Sequence, residues 1–123
     1  MPKQAQLESF VANSFRSVWA LDLLQYLATR PGRFFTPQEL VAALRASDVV
    51  VSQSVENLTA AGLAIVDAEG LVGYHETPGE QGALVKAAIK LYDRSPDKVR
   101  RLIIAHVNPG VTAFADAFRL RKD

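Results

Sequence analysis

The sequence predicts a single, mainly α-helical domain with one small β-hairpin. Apolar residues recur at helical spacing through most of the 123 residues, a Thr-Pro-Gln-Glu-Leu run marks one helix start, and two short apolar segments flank an Asp/Glu/Gly turn. At this length, with 49% hydrophobic and 22% charged residues, one compact core is expected across residues 1–123.

Residues 4–12 read as an amphipathic lead-in helix with Leu7, Phe10 and Val11 on its apolar side. Residues 15–29 then place Val18, Leu21, Leu24 and Ala28 at helical spacing, and Trp19, Leu23, Tyr26 and Leu27 widen that face. Such breadth predicts a largely buried helix, closed by Pro31 and Gly32.

The sharpest local signal is Phe35-Thr36-Pro37-Gln38-Glu39-Leu40. Thr36 can cap the helix, and Pro37 loses nothing by lacking an N–H in the first turn. Glu39 can reach back to close a capping box, and Phe35 can staple onto Leu40. A helix over 36–46 follows, with Leu40, Ala43 and Leu44 facing inward. Ser47-Asp48 offers a second cap just beyond, so a further helix over 49–61 must meet the first at a tight corner. Val51, Val55 and Leu58 form its inner stripe, and Gly62 stops it.

Leu63-Ala64-Ile65-Val66 and Leu71-Val72-Gly73-Tyr74 flank Asp67-Ala68-Glu69-Gly70, which predicts a hairpin within 63–75. Thr77-Pro78-Gly79-Glu80 repeats the capping-box pattern and opens a helix to about Arg94. Ser95-Pro96-Asp97 starts another, carrying Val99, Leu102, Ile103 and His106. Asn108-Pro109 caps a last short helix on which Val111, Phe114 and Phe118 share a face. Two aromatics near a chain end need a cover, and a second copy related by a two-fold axis is the expected one.

The net charge of +1 conceals an asymmetry. Residues 1–79 hold five Lys/Arg against eight Asp/Glu, whereas residues 80–123 hold nine against five. No apolar run approaches the roughly 20 residues of a membrane helix, and no secretory leader is visible, so a cytoplasmic protein is expected. The absence of cysteine removes disulfides and thiolate metal sites. His75 and His106 have no partner at a metal-ligand spacing, and no nucleophile elbow, phosphate loop or dinucleotide fingerprint occurs. The expectation is a protein that is not an enzyme and needs no cofactor or metal.

The order from Phe34 to Tyr74, with Thr36-Pro37-Gln38-Glu39-Leu40, Val51, Val55, Leu58 and Ala61-Gly62-Leu63, resembles the winged helix-turn-helix superfamily, including small bacterial transcriptional regulators of the MarR kind. With the preceding helix, the resemblance covers residues 15–75. Residues 77–123 are then added C-terminal helices with a role in dimerisation, and residues 4–12 an added N-terminal one. The resemblance implies that the third helix of the motif enters the major groove of double-stranded DNA, that the hairpin is a wing, and that the protein regulates transcription as a homodimer.

On that third helix the inward stripe turns Val49, Gln53, Glu56 and Ala60 outward, flanked by Val50, Ser52 and Asn57. Gln53 and Asn57 are the candidates for reading adenine edges, Ser52 (or Ser54) for phosphate, and Arg33 and Arg45 for phosphates beside the turn, where Arg30 adds charge. Val111, Phe114 and Phe118 are the candidate dimer residues. Against DNA contact stand the lack of any Lys or Arg on the helix, Asp48 and Glu56 upon it, and Asp67 and Glu69 in the wing turn. The rival is a winged helix turned to a protein partner through Val49, Val50 and Ala60. The ladder Lys86, Lys90 and Arg94, continued by Lys98, Arg100 and Arg101, reads as a solvated face before a nucleic-acid surface.

Overall fold

The computed structural model describes residues 3–107, within which six helices and a three-stranded antiparallel sheet alternate. The expected face of Val111, Phe114 and Phe118 lies outside the described residues. No described helix is long and apolar enough to cross a membrane.

Helix α1 spans Gln4–Ser14 and buries Leu7 and Val11. The next helix begins later than its apolar spacing suggests. Phe15 has extended backbone, and α2 runs Val18–Ala28 from a cap at Ser17, whose Oγ accepts the Ala20 N–H at 3.2 Å. Phe15 is buried all the same, at the corner between the two helices. Ala20, Leu21, Leu23, Leu24 and Leu27 are all buried, and each buried leucine contributes roughly 1.5–3 kcal/mol.

Strand β1, Phe34–Phe35, precedes α3, Pro37–Leu44. The capping box is formed: Thr36 Oγ1 accepts the Glu39 N–H at 3.1 Å, and Glu39 Oε1 accepts the Thr36 N–H at 2.8 Å. Leu40 is buried and Leu44 partly so, but Ala43 is exposed and Val41 packs on the core in its place. At the corner Arg45 adopts left-handed backbone (φ 53°, ψ 44°), and its neighbour's N–H bonds back to Val41, ending the helix. Ser47 then caps α4, Asp48–Ala60, by accepting the Val50 N–H at 3.2 Å. Gly62 at φ +77° lets the Leu63 N–H bond back to the Leu58 carbonyl, which turns the chain into the sheet.

Strands β2, Ala64–Val66, and β3, Val72–Tyr74, form the expected hairpin. The sequence reading lacks the third strand: β1 pairs with β3, so the sheet order is β1-β3-β2. Registry places Phe34, Gly73 and Ile65 side by side on one face, with the Phe34 ring so close to Gly73 that an added Cβ would lie 2.7 Å from it. Phe35 and Val72 line the opposite face and enter the core.

Helix α5 spans Gly79–Arg94, and its expected capping box does not form. Gly79 sits at φ +74°, which breaks the helical frame that a cap at Thr77 requires. Thr77 Oγ1 is buried without a partner, and Glu80 accepts a hydrogen bond from Gln6 of α1 instead. Helix α6 spans Pro96–Val107 and buries Val99 and Ile103, while His106 is exposed.

Helix α2 lies at the centre against α4, α3 and β3, while α1, α5 and α6 pack on one another. A single core joins both groups, from Leu24 and Leu58 to Val85 and Ile103. Two polar contacts cross from α5 to α2: Tyr92 donates its O–H to Asp22 at 2.7 Å, and Gln25 donates to Asp93 at 2.7 Å. Burial, and then the hydrogen bond to Asp22, push the Tyr92 hydroxyl up to about 12.

Candidate nucleic-acid interface

Helix α4 is the element on which the sequence placed most of its candidate contacts. Its buried residues Val51, Ser54, Asn57 and Leu58 face the core, and Val55 is partly covered. Val49, Ser52, Gln53, Glu56 and Ala60 are exposed, at spacings of three and four residues along one side. Gln53 stands at the middle of that stripe with Ser52 beside it, and Val49 is 63% exposed at its N-terminal end.

Asn57 is not on the outward face. It is 6% exposed, its Oδ1 accepts the Arg16 N–H at 2.8 Å, and its Nδ2 donates to the Ser14 carbonyl at 2.8 Å. Both ends of the amide are engaged by the corner between α1 and α2, and burial keeps its remaining N–H and lone pair from a base edge. Reading adenine would require breaking two buried hydrogen bonds. Ser54 is likewise buried and cannot reach phosphate. Nothing within α4 marks Asn57 as inward, because its partners are backbone groups of residues 14 and 16.

Of the cations beside the turn, Arg30 is committed to its own helix end. It donates to the Tyr26 carbonyl at 3.2 Å and stacks 3.9 Å from the Tyr26 ring centroid. Arg33 is exposed with its guanidinium 5.3 Å from the Phe35 ring, and Arg45 is exposed at the α3–α4 corner. The structure therefore leaves Ser52, Gln53, Arg33 and Arg45 at the surface and withdraws Asn57.

The hairpin turn is anionic for a structural reason. Asp67 Oδ1 accepts the N–H groups of Glu69 and Leu71, both at 2.9 Å, and the backbone of Asp67 pairs with Leu71. Asp67 thus closes the hairpin, whereas Glu69 is exposed and makes no such bond. His75 fixes the other end of the hairpin: its Nδ1 lies 2.8 Å from the Gly62 carbonyl, an arrangement that needs the proton on Nδ1. Among the described residues, no three His, Asp or Glu side chains converge where they could hold a metal ion.

Comparison with known protein families, with curated proteins and with solved structures returns no match.

Proposed function

We propose that the chain is a winged helix-turn-helix protein that binds double-stranded DNA through α4 and regulates transcription as a homodimer. The observation that carries this reading is the outward stripe of α4. It is a helix held at a tight, doubly capped corner, with Gln53 and Ser52 exposed along its side and Arg45 beside its start. The resemblance supplies the role of such a helix, and β1 supports it by tying the hairpin to the residues just before α3, which fixes the wing.

With Asn57 withdrawn, direct base reading rests on Gln53, whose bidentate pairing with adenine would discriminate by about 1–3 kcal/mol. Charge contributes little, because α4 brings Asp48 and Glu56 and no cation. Two copies each using Arg33 and Arg45 predict a slope of log K against log salt of about −4. The test is a titration of the protein against its own upstream DNA and unrelated DNA at several salt concentrations. It is repeated with Gln53→Ala and with Arg45→Asn, which tolerates the left-handed backbone. Preference for the upstream DNA that is lost in Gln53→Ala supports the reading, and equal, negligible binding to both DNAs at low salt overturns it.

A second reading is favoured by Val49, the most exposed of the large apolar residues described, together with the exposed carboxylates of Asp67 and Glu69 in the hairpin turn. A protein partner with a basic rim around an apolar patch would suit that surface. Failure of DNA binding together with loss of a co-purifying partner in Val49→Ser would select it.

A further inference from the structure

We propose that the groove between α1 and α5 binds an elongated anionic amphiphile, an apolar chain ending in a carboxylate or phosphate. This inference is independent of what α4 contacts. The groove has a volume of about 520 Å³, within the range of roughly 300–1,000 Å³ seen for small-ligand sites. Leu7 of α1 and Ala87 and Leu91 of α5 give it an apolar floor, and Lys86, Lys90 and Arg94 run along its side.

Two rows on one helix create this arrangement. Ala83, Ala87 and Leu91 recur every four residues, as do Lys86, Lys90 and Arg94, one position behind. The rows lie next to each other, each advancing about 6 Å per step. An apolar chain laid on the first row keeps its head within reach of a cation on the second.

Charge complementarity selects an anion. No Asp or Glu lines the groove. The two ion pairs among the described residues are Lys98 with Glu8 and Arg100 with Asp97, so two of the three Lys and Arg residues on α6 find carboxylates there and none of the three on α5 does. Like charges at i and i+4 disfavour a helix, and a bound anion would relieve that repulsion. A nucleic-acid backbone would answer the charge but leave the apolar floor without a role.

The test is calorimetric titration of the full chain with decanoate and with decyl phosphate, each below its micelle concentration. Controls are decyltrimethylammonium, acetate and inorganic phosphate. Saturable binding of one decyl anion per chain is expected, with no saturable heat from acetate or inorganic phosphate. Decanoate against decyl phosphate identifies the preferred head group. Lys86→Gln with Lys90→Gln, both at exposed positions, should weaken the decyl anion at least about tenfold while melting no lower than the unmodified protein. Ala87→Trp should fill the groove and abolish binding. Decyltrimethylammonium binding as tightly as decanoate, or decanoate binding unchanged in the lysine double variant, would overturn the proposal. So would an absence of amphiphile binding accompanied by loss of DNA affinity in that variant, which would make the ladder a phosphate surface. Conversion of a dimer to monomer by Ala87→Trp, again without amphiphile binding, would show that a second copy covers the groove.

Discussion

Helices α4 and α5 differ in how their sequence has been allotted between fold and surface. In α4 the polar residue best suited to a ligand, Asn57, faces inward and holds the α1–α2 corner, while the outward stripe has one amide, one carboxylate and no cation. In α5 the inward residues Val85 and Ala88 are simple apolar ones, and the outward face carries three cations that form no ion pair among the described residues. The helix proposed for recognition is therefore poor in charge, and the helix packed on α1 and α6 is rich in it. The lesson is that residue type alone does not mark a contact surface. What matters is whether the fold has already engaged the group.

The comparison can be broken most directly at Asn57. Asn57→Ala leaves the Arg16 N–H and the Ser14 carbonyl without their partner, and unfolding in urea should show a loss of about 2 kcal/mol or more. If it instead left stability unchanged while abolishing DNA binding, Asn57 would belong to the interface after all. Thr36→Ala removes one half of a formed capping box and should lower stability by about 1 kcal/mol in the same assay. Arg45→Gly should move it the other way by roughly 0.5–1 kcal/mol, because glycine holds the left-handed corner without strain.

On the exposed side of α4, Glu56→Lys adds one cation per copy to the outward stripe. If DNA lies there, the salt slope of a dimer should steepen from about −4 to about −5. The same change should leave it unmoved if a protein partner occupies the helix.

On the α5 side, Tyr92 gives a pH signature. Its hydroxyl titrates near 12 in the fold against an ordinary value of about 10, so the folded state holds the proton more tightly than the unfolded chain. That contribution is complete below about pH 10 and is lost as pH rises toward 12. Urea midpoints measured across this window should fall, and Tyr92→Phe should make the fall shallower.

Much of this fold was legible because its punctuation is chemical. Thr36 with Glu39, Ser47 and Gly62 each act through a specific donor, acceptor or backbone geometry, and each does what its residue type dictates. Periodicity was a poorer guide to boundaries. The apolar spacing from residue 15 ran through the break at Ser17 because Phe15 is buried whether or not it is helical. Strand β1 is two residues long, too short to display alternation, and its pairing is set by tertiary contact. Thr77 misled because the capping pattern is not sufficient: Gly79 at φ +74° lacks the helical geometry that a cap two residues earlier needs, and α5 starts only there, after Pro78. At the candidate interface, Gln53 and Ser52 were placed outward correctly. Asn57 was not, since its partners are backbone groups of residues 14 and 16, which no pattern within α4 reveals.

The pair of hydrogen bonds at Asn57, one accepted and one donated, has a mechanical consequence. Leu7, which floors the groove, and Ser14, which the amide grips, belong to the same eleven-residue helix, so a shift of α1 is carried to α4 without passing through α5. Coupling between the two proposed faces would be reciprocal: a molecule that draws α1 toward α5 and changes the affinity of α4 for a target by some factor would itself be held more or less tightly, by that factor, when the target is bound.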